Sequence, residues 1–410
     1  MRRHAVRVPV PVNGPEVRTP DEAERERIAE VLAISLNFSR ERSVARSHLY
    51  PLEDMRCATV GGEIVATAAE FRFDQWFGGR PLPCSAIWGV ATLPEHRGSG
   101  FASAVTQAVM RAGRARGASV SALYPAVVGP YRSLGFELAG TFTKHRVAID
   151  HIPPQPRDLP TPGLFDLERD LAGVRACYRT YAAAHTGPVE PPDGHWADRI
   201  MVRTDDETRR AVVVRERGEV TGFLVTGRDP DPGPLDVAFG LWTEAFVATS
   251  ETALRALLAY VRRFGGLGKW FQWSGPPNDP IGLLVDDQSL SIDMHYRWML
   301  RLLDVRAAFE ERGWPAIDAE AVFAVDDPLF PDNAGPWRLH VHRGVAEIER
   351  EDSLAPGSPP IPIGTLSAMF SGYLRAADAV RLGRLGGDDA AVEPFGHLLS
   401  GPDPWCPFFF

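Results

Sequence analysis

The chain is 410 residues long, with 44% hydrophobic residues, 24% charged residues and a formal net charge of −9. That length exceeds one typical core and points to two or three domains, while the acidic balance argues against generic nucleic-acid binding and suits a cationic partner. Cys57, Cys84, Cys177 and Cys406 form no Cys-x-x-Cys pair, the start MRRHAVRVPVPVNGP lacks the apolar core of a signal peptide, and no run of about 20 apolar residues offers a membrane span; the composition therefore predicts no zinc site or disulfide framework, no membrane association, and a cytoplasmic protein.

Residues 1–18 read as a flexible arm. Thr19-Pro20-Asp21-Glu22 reads as a helix start, with Thr19 as the cap, Pro20 in the first helical position and Glu22 closing a capping box. Ile28, Val31, Leu32 and Leu36 follow at helical spacing. Met55 to Phe73 holds two strands around Gly61-Gly62, and Gly78-Gly79 marks a hairpin before a strand over Cys84 to Ala91. A helix with Val105, Val109 and Ala112 on one face stops at Gly117, and strands follow near Val120–Tyr124 and Phe142–Ile149. Residues 150–163 are proline-rich, a linker composition. A second unit repeats the outline: a helix near 168–184, strands over 211–216, 220–226 and 238–243, a helix near 251–264 and a strand over 269–273. A third begins near residue 298, with a helix ending at Gly313, strands near 321–325, 337–342 and 345–349, and a helix over 376–382. The expected domains are 1–150, 151–297 and 298–410. The class is α/β with mixed rather than purely parallel sheets.

The segment Gly89 to Ala102, GVATLPEHRGSGFA, carries the strongest chemical signal. A strand ends at Pro94, then Arg97-Gly98-Ser99-Gly100-Phe101-Ala102 leads straight into a helix. Glycines allow close backbone approach, successive N–H groups point one way, and the helix dipole adds positive charge, so this order makes an anion site. A P-loop would need a Gly-Lys-Ser/Thr ending and a Rossmann fingerprint a third glycine; neither is present. About thirty residues on stands Tyr131-Arg132-Ser133-Leu134-Gly135-Phe136. In the second unit, Glu244 to Ala248 has no glycine and carries an acid where an anion would sit. Arg263 to Gly268 matches Arg-x-x-Gly-x-Gly but follows a helix, which makes Gly265-Gly266 a helix C-cap. The chain closes with Phe408-Phe409-Phe410. Each ring is worth roughly 1.5–3 kcal/mol if buried, which predicts a packed tail.

Arg-x-x-Gly-x-Ala followed by Tyr-x-x-Leu-Gly-Phe is how acetyltransferases of the GCN5-related type (GNAT) appear. With a degenerate second unit and an aromatic C-terminus, the whole chain resembles the Eis (enhanced intracellular survival) family of N-acetyltransferases. The resemblance implies two tandem GNAT-like domains, of which the first binds acetyl-CoA, and a sterol-carrier-protein-like third domain. It also implies a homohexamer and transfer of acetyl groups to amines of aminoglycosides or lysine side chains, with no metal. By resemblance, Val90, Ala91 and Thr92 pair with the pantetheine arm, and amides from about Gly98 to Ser103, in the loop Arg97, Gly98, Ser99, Gly100, Phe101, Ala102, Ser103, hold the pyrophosphate. Ala126 and Val127 match a later cofactor contact, Tyr131 the general acid, and the carboxylate of Phe410 the general base.

Acetyl transfer to an amine needs a neutral amine, a polarised thioester carbonyl and protonation of the leaving thiolate. An α-carboxylate is a weak base in water, and burial beside phenylalanines raises its pKa toward a useful range. The alternative is that Phe410 merely fills an apolar gap. Glu70, on a strand, is a second candidate base, and His96 and His145 are weaker ones. Phe38, Trp76 and Phe77 are candidates for an aromatic acceptor pocket or for the core. A non-catalytic acetyl-CoA sensor is the rival function, and lipid carriage by the third unit is a further one.

Overall fold

The computed structural model describes residues 15–409 except 37–38, 42–43, 45–50, 193–195, 197–200, 202–207, 231–236, 286–287, 289, 353–359 and 387–388. The first unit contributes β1 (Glu16–Arg18), β2 (Met55–Val60), β3 (Glu63–Phe77), β4 (Arg80–Thr92), β5 (Val120–Leu123) and β6 (Glu137–Ala148), with helices α1 (Arg25–Leu36), α2 (Phe101–Ala115) and α3 (Gly129–Arg132). Part of the expected N-terminal arm is thus an edge strand, β1, paired antiparallel with β2. The first helical turn starts two residues later than expected. Glu24 closes it, accepting the Asp21 N–H at 2.8 Å while pairing with Arg18 at 2.7 Å. The strand β4 and the strand β5 are parallel, so the connection between them must cross the sheet, and α2 makes that crossing. It buries Phe101, Val105, Val109 and Met110 with Ile28, Val31 and Leu32 of α1.

The second unit contributes β7 (Gly163–Leu164), β8 (Val189–Glu190), β9 (Arg210–Glu216), β10 (Glu219–Pro230), β11 (Phe239–Ala248) and β12 (Gly268–Gly275), with α4 (Leu167–Ala183) and α5 (Glu251–Arg262). Glu244 to Ala248, expected to follow a strand, forms the end of β11. The helix start after it is self-capped, Ser250 Oγ accepting from Ala253 N at 3.0 Å. Gly266 has φ +91° and Gly268 N donates to Phe264 O at 2.8 Å, the geometry of a helix C-terminus.

A strand β13 (Ser291–Leu302) joins the units. It lies between β5 and β6, antiparallel to both, and β6 in turn pairs with β12. One thirteen-stranded sheet results, ordered β1-β2-β3-β4-β5-β13-β6-β12-β11-β10-β9-β7, with β8 on β3. The strand that completes the first unit's sheet therefore straddles the boundary expected at 297/298.

The third unit has β14 (Ala319–Asp326), β15 (Gly335–His342), β16 (Val345–Arg350) and β17 (Ile361–Pro362), with α6 (Val305–Glu311), α7 (Ile363–Phe370), α8 (Ala376–Arg381) and α9 (Asp389–Leu398). Its sheet runs β16-β15-β14-β17. His340 and His342 face acids from the neighbouring region, Glu320 at 3.4 Å and Asp318 at 2.7 Å. A buried ionic network ties this unit to the first. Arg301, at the end of β13, donates to Asp327 at 2.7 Å and to the carbonyl of Leu134 at 2.6 Å, and both charged side chains are fully buried. Asn333 and the amides of Leu329 and Phe330 complete the Asp327 shell. Removing one partner of a buried pair strands the other charge. Asp327→Ala is therefore expected to lower unfolding free energy by about 3–5 kcal/mol in urea denaturation; a loss below about 1 kcal/mol would contradict the network's role.

Candidate active site

Two features of β4 shape the edge that it presents after β5 ends. Its register with β3 shifts between Thr67 and Ala69, where Gly89 takes φ +60° and accepts a bond from Thr67 Oγ at 3.0 Å. This is a bulge, and a bulge bends the strand. The pairing of β4 with β5 runs from Cys84↔Val120 to Ile87↔Leu123 and, among the described residues, no further. Among the described residues, the stretch of β4 from Gly89 to Thr92 lies beyond its pairing with β5. Val90 is half-buried there and Ala91 and Thr92 are buried.

The loop after β4 presents donors. Arg97 N bonds Pro94 O at 3.3 Å, and Ala104 N bonds Gly100 O at 3.0 Å. Between them, the amides of Gly98, Ser99, Gly100, Phe101, Ala102 and Ser103 have no backbone acceptor among the described residues. Gly98 and Gly100 have φ +80° and +83°, the left-handed region that side chains resist, and a Cβ at either would meet nothing within 4 Å. Glycine is required here by conformation, and the space in front of the loop is open. Six free N–H groups at the positive end of a fifteen-residue helix suit a diphosphate. The Arg97 side chain braces the loop, donating to the carbonyls of Thr92 at 3.2 Å and Ser35 at 3.3 Å. Phe101 is buried and anchors the helix start, while Ser99, Ala102 and Ser103 are half-buried.

Tyr131 lies in α3, beyond the end of β5. Its carbonyl accepts from Leu134 N at 3.0 Å and Phe136 N at 3.1 Å, closing a tight turn in which Gly135 has φ +84°. The Arg301 guanidinium holds this turn from behind through Leu134 O. The Tyr131 ring meets Phe136 edge-on at 6.2 Å, and burial pushes its phenol up to about 12. Ala126 and Val127 are exposed on the connection before it.

The chain end lies against β6 and the residue that follows β5. Thr141 of β6 and Trp405 form a parallel bridge, Cys406 N donates to Thr141 O at 2.9 Å, and Trp405 N donates to Thr186 O at 2.9 Å. Trp405, Cys406 and Phe408 are buried. Phe409 lies against Tyr124, the residue directly after β5, with ring centroids 4.2 Å apart. Phe410 and Phe38 lie outside the described residues.

Other candidate positions sit elsewhere. Trp76 is in the core of the joined units with Phe77, Tyr178 and Trp196. Glu70 is 4% exposed, accepts from Ser85 Oγ and pairs with Arg116 beyond the end of α2. His145 is buried, stacked on Trp273, with Nε2 2.7 Å from Pro276 O. Tyr124, Phe142 and Tyr296, which surround Phe409, had no distinguishing motif; only strand pairing brings them together. Among the described residues no group of three His, Cys, Asp or Glu could hold a metal ion, and no helix is long and apolar enough to cross a membrane.

Comparison with known proteins fits this architecture. Residues 16–139 match an acetyltransferase (GNAT) domain family, residues 187–302 a second acetyltransferase (GNAT) domain family, and residues 305–407 a sterol carrier protein domain. An uncharacterized N-acetyltransferase of Streptomyces avermitilis is 27% identical over 374 residues, covering 85% of this chain and 88% of that one. One from Streptomyces coelicolor is 26% identical over 368 residues, covering 84% and 86%. The crystal structure of a GCN5-related N-acetyltransferase from Kribbella flavida is 28% identical, with a TM-score of 0.84 over 97% of this chain and 100% of that one. Eis1 from Mycobacterium abscessus shares the fold at 22% identity, with a TM-score of 0.78 over 97% and 100%. The chain is a GNAT N-acetyltransferase of Eis-like architecture, two acetyltransferase domains followed by a sterol carrier domain.

Proposed function

We propose that this enzyme acetylates primary amines of a cationic acceptor, an aminoglycoside-like polyamine or a lysine side chain, by direct transfer in a ternary complex. The observation that carries the reading is the run of six amides from Gly98 to Ser103 without a backbone acceptor among the described residues, one turn after the stretch of β4 that lies beyond its pairing with β5. Acetyl-CoA, when bound, supplies an activated acyl group as a thioester. The loop amides bind its diphosphate, the edge Val90, Ala91 and Thr92 accepts its amide-bearing arm, and Ala126 and Val127 flank it. Retention of Tyr131 beside these elements favours an enzyme over an acetyl-CoA sensor. The net charge of −9 draws a cationic acceptor.

Two groups move protons in this reading. The carboxylate of Phe410 takes one from the amine. Its ordinary value of about 3.3–3.7 makes it a weak base in water, and exclusion of water by the bound acceptor strengthens it in this reading. Tyr131 offers its hydroxyl proton to the developing sulfur charge. A thiol ordinarily ionises near ~8.5, so a phenol at about 12 holds its proton more tightly than the sulfur takes it. Donation is consequently late: a hydrogen bond stabilises the sulfur charge first, the proton crosses as the C–S bond breaks, and the phenol regains a proton from solvent once the thiol has formed. The homohexamer implied by the Eis resemblance belongs to the same proposal and is checked by light scattering.

A screen of polyamines, aminoglycosides and lysine peptides with acetyl-CoA, following thiol release and product mass, tests the reading. Release matched by one added acetyl group per thiol is expected; no release with any of these amines would overturn it. The loop makes its own prediction. Gly100→Val forces a branched residue to φ +83°, at a cost of about 1–2 kcal/mol. Relaxation turns the amides away, and the Kd for acetyl-CoA is expected to rise about tenfold by calorimetry. An unchanged Kd would remove this loop from the binding site.

A further inference from the structure

Tyr124 engages the tail on two sides. Its ring lies on that of Phe409, with centroids 4.2 Å apart and planes within 21°. Its hydroxyl donates to the carbonyl of Phe408 at 3.0 Å, and Cys406 Sγ donates to the same oxygen at 3.2 Å. Phe142 of β6 meets both rings edge-on, at 6.2 Å from Tyr124 and 5.9 Å from Phe409, and Tyr296 of β13 approaches Phe409 at 6.0 Å. Phe408 itself is buried beside Tyr178 and Trp196. Phe409 is different: it stays 60% exposed. Burial alone would not order a ring so open to water, so its placement depends on the stacking partner.

Covalent geometry shows why this matters. The Phe408 carbonyl and the Phe409 ring flank one planar peptide unit, so holding both fixes that plane. A carboxyl carbon on the next residue can lie anywhere within about 5 Å of Phe409 Cα. Proton transfer needs a heavy-atom separation of about 2.6–3.2 Å, a much narrower tolerance. The direction in which the chain leaves Phe409 must therefore be set by something outside the tail.

We propose that Tyr124 is a positioning residue, aiming the chain-terminal carboxylate at the amine by hydrogen-bonding the Phe408 carbonyl and stacking on Phe409. This role rests on the reading of Phe410 as proton acceptor. Burial also holds the Tyr124 phenol well above its ordinary value, so it remains a donor throughout the neutral range.

Two variants separate the contacts. Tyr124→Phe keeps the ring and loses the donor; Tyr124→Ala loses both. Each full-length variant is assayed for kcat, for the KM of acetyl-CoA, and for the rate at which carboxypeptidase A releases the last residue, read by intact mass. Tyr124→Phe is expected to lower kcat about fivefold with the acetyl-CoA KM within about twofold, since misplacement of a reacting group lowers kcat without weakening a remote ligand. Tyr124→Ala is expected to lower kcat about 30-fold and to speed release of the last residue about tenfold. If Tyr124→Ala does not fold, as judged by circular dichroism, release from Tyr124→Phe still reports on the clamp. Unchanged release in the folded variants, or faster release with unchanged kcat, would overturn the proposal. Failure of the underlying reading looks different: a C-terminally extended enzyme with full kcat removes the carboxylate's role while leaving the release rates to say whether Tyr124 holds the tail.

Discussion

Replacing Tyr131 with phenylalanine is expected to lower kcat about 100-fold, the lower end of what a positioned proton donor contributes, while the Kd for acetyl-CoA stays within about twofold. The ring survives the substitution, so its edge contact with Phe136 and the turn held by Arg301 persist. Only the hydroxyl is lost. The pH dependence has a definite sign. Burial raises the phenol to about 12, above its ordinary 10, so the protonated form needed for donation persists into alkaline solution. Wild-type kcat should show no decline from this group below about pH 10. A near-normal turnover in Tyr131→Phe, measured by thiol release, would remove the donor role.

The second large effect is at the other end of the chain. Appending six residues after Phe410 should lower kcat by about 100-fold or more, whereas the same tag at the N-terminus should leave it unchanged. An extended residue spans up to about 3.6 Å, so even a short tag displaces the carboxylate well beyond proton-transfer range. The tail up to Phe409 has no reason to leave its site, because Trp405, Cys406 and Phe408 remain buried and hydrogen-bonded. The extension therefore tests position of charge rather than folding. Equal kcat for the two tagged forms excludes a terminal base and leaves the phenylalanines as a plug.

What was legible in the sequence was local chemistry. Gly98 and Gly100 are required by backbone conformation within one loop, and Gly135 by one turn; such demands show in a few adjacent residues. The three-unit division and most strands followed from alternation and turn residues. Pairing between distant strands did not. No strand was expected over 291–302, although Ile292, Met294, Tyr296 and Trp298 alternate with polar residues, and nothing local says that it slots between β5 and β6, about 150 residues earlier in the chain. The tail shows the same limit. Three phenylalanines predict burial, yet only the fold reveals that Phe408 is buried, that Phe409 stacks on Tyr124 in the open, and that the partners come from β6 and β13. At the N-terminus, Thr19 and Asp21 are both good caps; the ion pair of Glu24 with Arg18 selects the later start. The acid at Glu244 does not end β11: it is the extra residue at the register shift between β10 and β11, 3.8 Å from Arg209, and Ala245 and Phe246 after it stay buried.

In the proposed reaction, backbone amides from Gly98 to Ser103 grip a diphosphate and so place a thioester beside Tyr131. Titration calorimetry of acetyl-CoA into the purified protein addresses it directly. One site per chain is predicted, with Kd in the range of about 1 μM to 1 mM usual for enzyme substrates. The absence of any saturable binding by acetyl-CoA would contradict it.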